Sequence, residues 1–278
     1  MITNKDIKIC SEQIFSYTSA YQVPFYGRER VISELMEKIT NVSPAEAIII
    51  SQPLGIGKTF LVYHMINSKM LDISLKHPFL YVREIAENPS VMEQFPSDIL
   101  IIDEIDIKTP YKKMIKGIEL IGEFLDKSNK NAILIGDYSL RNEMITACLE
   151  HKNLISLFEG IDEDFFKGVL DMRFRHFLED KYDFELESIM EPELIRYLVP
   201  DWMKNVNNFR SIFSVLQGIV SEMKYNSERV YLTVEQLQDF FHKDREYLFD
   251  DYQKRYYIEL KQYIKTAYPN GNNIGEGF

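Results

Sequence analysis

The chain has 278 residues, of which 45% are hydrophobic and 27% charged, and its formal net charge is −11. That length suits one large domain or two modest ones with a buried core, and the composition is ordinary for a soluble globular protein. The acidic balance excludes a dominant basic surface, so nucleic acid, if bound, must meet a local patch or a bound partner.

The cysteines and the N-terminus favour a cytoplasmic protein that is not attached to a membrane. Cys10 and Cys148 are the two cysteines, which do not indicate a disulfide framework and fit a reducing compartment. The first residues lack the apolar core of a signal peptide. No apolar run approaches the roughly 18 residues that a membrane helix needs.

Short apolar runs alternate with helical patterns in the first 180 residues. Each run is rich in Ile, Leu or Val and short enough for a strand buried on both faces. The runs are AIIIS (47–51), FLYV (79–82), DILIIDE (98–104) and NAILIGD (131–137). Residues 111–126 place apolar side chains on one helical face. The alternation predicts an α/β domain with a parallel sheet flanked by helices.

The stretch SQPLGIGKTF (51–60) lies where the first strand ends and a helix begins. It matches the phosphate-loop pattern G-x-x-x-x-G-K-[ST] except that Gln52 replaces the first glycine. Gly55 and Gly57 allow backbone N–H groups to curl around phosphate oxygens, and the helix adds its positive N-terminal end. The alternative is a glycine-rich turn with a surface lysine. The strand before and the helix after favour the phosphate loop.

The side chains of this loop predict the ligands of a magnesium nucleotide. Lys58 would contact the β- and γ-phosphates, and the Thr59 hydroxyl would ligate Mg²⁺. The remaining nucleotide-binding residues predicted here are Pro53, Leu54, Gly55, Ile56, Gly57 and Phe60.

Asp103 and Glu104 end the apolar strand of residues 98–104. Because the carboxyl ends of parallel strands share one edge of a sheet, this pair is expected beside the phosphate loop. Asp103 would hold Mg²⁺ through water, and Glu104 would activate the attacking water as general base. The alternative is two solvated acids at a strand end. Their position about 45 residues after the loop favours the catalytic interpretation.

After about residue 180 helical periodicity dominates, which predicts an all-α unit over 181–245. At its second helix, Thr233 and Gln236 have the spacing of a capping box. For 246–278 we expect a C-terminal helix and a disordered tail. This tyrosine-rich helix either packs on the all-α unit, which we favour, or docks on a partner or a nucleic-acid backbone.

The phosphate loop and the acid pair together resemble those of the AAA+ ATPases. The segment VPFYGRERVISELMEKI (23–39) is similar to the part of that family that lies against the adenine base. This similarity implies that Phe25, Tyr26 and Gly27 line the base pocket. GIGKTFLVYHMIN and AILIGDYSLRNEM resemble segments of the replication initiator DnaA and its shorter regulatory relatives.

The same resemblance implies two further catalytic residues. Asp137 aligns with the sensor-1 residue, which in that family lies on a strand between the loop strand and the acid strand and reaches the γ-phosphate or its water. The segment MRFRHFL (172–178) is similar to the S-R-F box of the family. It implies that Arg173 is an arginine finger offered to the nucleotide of a neighbouring subunit, with Arg175 as the alternative.

The all-α unit resembles the family's lid in layout more than in residues. The lid arginine called sensor 2 falls on the neutral Asn207. Either Arg210 or Lys204 substitutes for it, or the lid does not sense the γ-phosphate directly.

The resemblance covers about residues 23–242 and implies the AAA+ fold, a phosphate-loop parallel sheet followed by a small all-α lid, with ATP and Mg²⁺ as cofactors. It places the domain boundaries after residues 22, 180 and 245, with an extension over 1–22. About 35 residues follow the lid, too few for the DNA-binding helix-turn-helix domain of DnaA.

The sequence therefore predicts an ATPase switch that forms a nucleotide-dependent homo-oligomer, a ring or a filament. It would remodel, load or regulate a protein partner in DNA replication or mobile-element transactions, touching DNA only through a local patch or an assembly. The alternative is a nucleotide-dependent scaffold or signalling (STAND-like) module with little or no hydrolysis. The missing arginine at 207 favours the alternative, and Glu104 opposes it. A small-molecule kinase would need clustered arginines, which residues 181–245 do not show.

Overall fold

The computed structural model describes residues 2–15, 23–73, 77–106, 109–147, 152–155, 160–178, 184–203, 207–243 and 245–267. Within these ranges the strands are Ala47–Ser51 (β1), Leu80–Tyr81 (β2), Ile99–Ile105 (β3), Asn131–Gly136 (β4) and Lys152–Ile155 (β5). The α-helices are Asn4–Ile14 (α1), Glu29–Thr40 (α2), Lys58–Asn67 (α3), Val82–Glu87 (α4), Ser90–Gln94 (α5), Tyr111–Leu125 (α6), Arg141–Ala147 (α7), Glu163–Phe177 (α8), Pro192–Leu198 (α9), Phe209–Glu222 (α10), Val234–His242 (α11) and Asp251–Ala267 (α12).

The chain divides into two compact units. The sheet unit is Arg28–Glu159, and the helical unit combines Met1–Gly27 with Gly160–Phe278. The sequence placed these boundaries after residues 22 and 180, so the structure moves residues 23–27 and helix α8 into the helical unit. The physical reason is packing, because α8 contacts α1, α9 and the core around α10.

The sheet unit is an α/β unit with parallel strands in the order β2-β3-β4-β1-β5. Strands β1, β3 and β4 are nearly continuous runs of buried Ile and Leu, as expected for strands covered on both faces. The order puts β4 between β1 and β3, as the family resemblance implied. Two strands differ from the prediction: β2 is only two residues long because Val82 begins α4, and β5 was not predicted.

Helix α6 covers one face of this sheet and was predicted correctly from its periodicity. Its buried side chains include Met114, Ile118, Ile121 and Leu125, which recur every three or four residues. They join the apolar side chains of β3 and β4 in one core cluster. At about 1.5–3 kcal/mol for each fully buried Leu or Ile, burial of this kind holds α6 against the sheet.

The helical unit is built from both ends of the chain. Helix α12 buries Tyr256, Tyr257, Leu260 and Ile264 in the same core as α10, so the favoured interpretation of the tyrosine-rich helix is confirmed. The N-terminal helix α1 also packs in this core, against α8 and α10. The predicted tail PNGNNIGEGF (269–278) lies outside the described residues.

Local capping signals were reliable in this unit. Thr233 accepts a hydrogen bond from the backbone N–H of Gln236, whose side chain accepts one from the backbone N–H of Thr233 (3.0 Å). The predicted capping box is therefore confirmed. Among the residues that the structure describes, no helix is long and apolar enough to cross a membrane.

Candidate functional site

The loop between β1 and α3 is curled at two glycines. Gly55 and Gly57 have φ angles of 76° and 96°, left-handed conformations that glycine adopts without steric cost. Gly57 directly precedes α3 and has no side chain with which to cap it. The first N–H groups of α3 consequently receive no cap from this residue, which is the arrangement that suits an incoming anion.

Lys58 is folded back over the start of this loop. Its side chain is buried, and its Nζ donates hydrogen bonds to the backbone oxygens of Gln52 (2.8 Å) and Pro53 (2.9 Å). The ammonium group therefore lies inside the loop. A surface lysine would instead extend into solvent. The other predicted loop residues with a side chain are half-buried, apart from the buried Ile56.

The structure brings the loop and the first acid together. Burial raises the pKa of the Asp103 carboxyl, and this effect is opposed by hydrogen bonds from the Glu104 backbone N–H and the Thr59 side chain and by the charge of Lys58. Asp103 is 7% exposed. A buried carboxylate beside a hydroxyl and an ammonium group is an electrostatic setting that a divalent cation would stabilise.

Glu104 occupies a strained backbone position at the end of β3. Its φ is 58°, in the left-handed region that residues other than glycine rarely adopt. The pairing of β3 with β4 shifts register between Ile102 and Ile105, so Glu104 sits on a bulge. Its N–H donates to the Asp103 carboxylate at 2.7 Å. Strain of this kind costs about 1–3 kcal/mol and concentrates at functional sites.

Asp137 lies at the predicted strand position, but its carboxylate is already engaged locally. It directly follows β4, and its backbone N–H donates to the Ile105 oxygen at 2.8 Å. Its Oδ1 accepts hydrogen bonds from the Ser139 backbone N–H (2.9 Å) and hydroxyl (2.6 Å). In this structure Asp137 therefore orders the turn before α7.

Two residues near the loop were not assigned from the sequence. Arg28 is 9% exposed, and its Nη2 donates to the Ile56 backbone oxygen at 3.2 Å, which ties the start of α2 to the loop. Gln52 is 3% exposed, and its Oε1 has no hydrogen-bond partner among the described residues. The sequence showed Gln52 only as a departure from glycine. The resemblance included Arg28 in the segment expected against the adenine but gave a role only to residues 25–27.

The predicted base-pocket residues belong to the helical unit. The Tyr26 ring stacks on Phe165 with centroids 6.1 Å apart, and Tyr26 is 42% exposed. Gly27 has a φ of 69°, and a Cβ there would lie 2.8 Å from the Phe165 ring. Glycine is therefore required at 27 because this turn passes close to α8. Phe25 is half-buried.

The burial of Arg173 contradicts the prediction that this residue is an arginine finger offered to the nucleotide of a neighbouring subunit. Arg173 is 3% exposed, and its Nε and Nη2 donate to the backbone oxygens of Ile14 and Gln13 (3.1 Å for Nη2) at the end of α1. Its guanidinium lies 4.7 Å from the centre of the Phe213 ring, and burial lowers its pKa to about 10. Arg173 is buried because the carbonyl groups at the end of α1 need a hydrogen-bond donor. A cation at this position also interacts favourably with the helix dipole.

The alternative arginine is more accessible. Arg175 has a side chain that is 42% exposed, with an ion pair to Asp171 at 2.8 Å and a hydrogen bond to the Phe184 oxygen at 3.0 Å. Exposed pairs of this type are worth only a fraction of a kcal/mol and exchange readily.

The predicted lid residues have structural contacts inside the helical unit. Asn207 is 2% exposed, and its Nδ2 donates to the Ile161 oxygen at 3.3 Å. Arg210 lies 3.8 Å from the Asp250 carboxylate. Lys204 lies outside the described residues.

Thr59 and Asp103 are the residues of this site that could hold a magnesium ion. No cluster of three or more His, Cys, Asp or Glu side chains able to hold a metal occurs in the part of the chain that the structure describes. Thr59 and Asp103 supply two oxygen groups, and Mg²⁺ commonly takes its other ligands from phosphate and water.

Comparison with known proteins shows a likeness in fold. No family model matches the chain, and no curated protein matches it in sequence. The Orc1 protein of Aeropyrum pernix, solved in complex with DNA, is similar with a TM-score of 0.50 and 13% identity, covering 82% of this chain and 68% of that one.

Two further solved structures have lower scores. Domain III of the Thermotoga maritima replication initiation protein DnaA has a TM-score of 0.43 and 15% identity, covering 90% of this chain and 99% of that one. A DNA replication initiation factor has a TM-score of 0.42 and 14% identity, with 89% and 96% covered. The likeness to the Orc1 structure and the strand order of the sheet both indicate the same fold class. The chain has the AAA+ fold class that its sequence predicted, a parallel sheet flanked by helices with a further helical unit.

Proposed function

We propose that this chain is an ATP-binding and ATP-hydrolysing switch. The observation that carries the proposal is the meeting of Lys58, Thr59 and Asp103 beneath a loop curled at two glycines, with Glu104 next in the chain. Each of these groups has a distinct task in phosphoryl transfer, and a purely structural role would not explain a buried, destabilised carboxylate at this point.

The roles follow from the chemistry of each group. Lys58 exchanges its bonds to the loop carbonyls for bonds to phosphate oxygens, and Thr59 and Asp103 would hold Mg²⁺. The ion, when bound, neutralises charge on the phosphates. Glu104 accepts a proton from water as the water oxygen bonds to the γ-phosphorus and the bond from that phosphorus to the bridging oxygen breaks, releasing ADP.

Nucleotide-dependent assembly is part of the proposal. AAA+ sites of this type are completed by a neighbouring copy, which gives a head-to-tail contact and hence a ring or a filament. With Arg173 buried, Arg175 is the arginine that we propose for the contact in trans. The resemblance of the loop and sensor segments to the DnaA family, together with the Orc1 fold, supports a protein partner in DNA replication or mobile-element transactions.

A second function is favoured by the lid residues. Asn207 is neutral and bonded to backbone, and Arg210 faces Asp250, so neither offers an unoccupied cation to a γ-phosphate. A nucleotide-dependent scaffold that hydrolyses slowly or not at all would fit this lid. Glu104 on its strained bulge argues for hydrolysis.

Two measurements test the proposal. Steady-state phosphate release by the wild type should be abolished by Glu104→Gln, while ATP binding remains. Equal, negligible release by both proteins would support the scaffold. Light scattering with and without a non-hydrolysable ATP analogue should show a larger particle with the analogue, and a monomer in both states would contradict assembly.

A further inference from the structure

A groove of about 700 Å³ lies between α6 and α7, entirely within the sheet unit. The α6 residues that line the groove are spaced so that they form one continuous face of that helix. The residues lining the groove are Tyr111, Ile115, Ile118, Glu119, Gly122, Glu123, Asp126, Asn142, Glu143, Thr146 and Ala147. None of them belongs to the phosphate-loop site.

The floor of the groove is apolar. Ile118 and Gly122 are buried, and Ile115 and Ala147 are half-buried. A Cβ on Gly122 would lie 2.2 Å from the Ala147 backbone oxygen, so α6 and α7 approach this closely only because residue 122 is glycine. At one end, Tyr111 is 62% exposed and presents its ring beside the floor.

The rim of the groove is acidic. Glu119 and Glu123 lie in the last turns of α6, Asp126 directly follows that helix, and Glu143 lies on α7. None of the lining residues is basic. Within the described ranges, Oε2 of Glu143 is buried and has no hydrogen-bond partner. An unpartnered buried carboxylate oxygen is costly, and a donor or cation entering the groove would remove that cost.

We propose that this groove binds a short cationic amphipathic helix of a partner protein. From Tyr111 to Asp126 the face of α6 extends about 22 Å at 1.5 Å per residue, the length of about four helical turns. A helix laid in the groove would place an apolar side chain against Ile115 and Ile118, and its Lys or Arg residues against the acidic end. The negative rim repels phosphate, which argues against nucleic acid here.

A defined peptide tests this proposal. The probe is a fluorescein-labelled 14-residue peptide of Leu and Lys, with leucines on one helical face, and its affinity is measured by fluorescence anisotropy at low salt. It should bind at least tenfold more tightly than a scrambled peptide of the same composition or a peptide with Glu in place of Lys. Equal affinity of the three peptides, or the absence of binding, would overturn the proposal.

Charge variants locate the binding. The triple variant Glu119→Gln, Glu123→Gln, Glu143→Gln should bind the probe about tenfold more weakly, equivalent to about 1.4 kcal/mol of binding free energy. The control triple variant Glu37→Gln, Glu84→Gln, Glu93→Gln makes the same change in net charge at exposed positions outside the groove, and should change the affinity less than twofold. Equal weakening by both would show general electrostatic attraction and refute the groove.

A third arm does not depend on the charge variants. A photoreactive benzoylphenylalanine at Thr146, an exposed lining residue, should cross-link to the probe, whereas the same group at Ser33, exposed on α2, should not. Tyr111→Ala, at a side chain that is 62% exposed, should weaken binding of the probe at least fivefold. Cross-linking at Ser33 alone would contradict the proposal.

Discussion

Arg173→Met separates a structural role for this arginine from the catalytic role that the sequence suggested. Methionine keeps most of the apolar stem but removes two charged hydrogen bonds to the end of α1 and the contact with Phe213. Each charged bond is worth about 1.5–3 kcal/mol and the ring contact about 0.5–2 kcal/mol. Because burying a cation costs free energy, removing the charge offsets part of this loss of stability.

The net destabilisation expected from Arg173→Met is about 2–3 kcal/mol, which lowers the Tm by about 6 °C in a protein of this size. Differential scanning fluorimetry without nucleotide measures it. Arg175→Met is the matched control, because its exposed ion pair with Asp171 should cost less than about 1 kcal/mol.

Phosphate release completes the comparison. Each variant is mixed with Lys58→Ala protein, which keeps its arginines but cannot bind nucleotide productively, and release is normalised to folded protein. Arg173→Met should retain activity per folded molecule. Arg175→Met should lose activity when assayed alone and regain part of it in the mixture, because a neighbouring Lys58→Ala molecule supplies an intact Arg175. An Arg173→Met protein with an unchanged Tm and no hydrolysis would refute the structural role.

Three further changes have defined outcomes. Gln52→Met removes a buried oxygen without a partner among the described residues, and should raise the free energy of unfolding without nucleotide by about 1 kcal/mol; a decrease in a urea titration would show that the amide is bonded. Burial raises the pKa of Asp103, so the folded protein favours the protonated carboxyl. The stabilisation by this protonated carboxyl is present at low pH and is lost as the pH rises through the pKa of Asp103 in the folded protein. Asp103→Asn should therefore have a higher Tm than the wild type at pH 8, a smaller difference at about pH 4, near the ordinary pKa of an aspartate, and no further stabilisation by Mg²⁺ with ATP; a lower Tm at pH 8 would contradict this reasoning. Thr233→Ala removes a capping box and should cost about 1 kcal/mol in chemical unfolding, with Thr266→Ala, outside any cap, as a neutral control.

The sequence predicted the elements whose signals are local. Buried strands of Ile and Leu, the periodicity of α6 and the spacing of Thr233 and Gln236 depend on neighbours in the chain, and the structure confirms them. The order of β1, β4 and β3 was implied by the family resemblance, which carries topological information that periodicity does not.

Features set by long-range packing were missed. Strand β5 begins with Lys152 and Asn153 and lacks a continuous apolar run. The burial of Arg173 depends on α1, about 160 residues away in the chain, and the helical unit recruits α1 and α12 from opposite ends. Arg28 was missed for the same reason, because its bond to the loop spans 28 residues.

The central claim is that Lys58 belongs to a nucleotide site and not to an ordinary turn. Titration calorimetry with Mg²⁺ and ATP should show binding by the wild type and by Lys116→Ala, which changes an exposed lysine of α6. Lys58→Ala should bind about 100-fold more weakly, because about 2.7 kcal/mol of charged hydrogen bonding to phosphate is lost. An affinity for Lys58→Ala within twofold of the wild type would contradict the account.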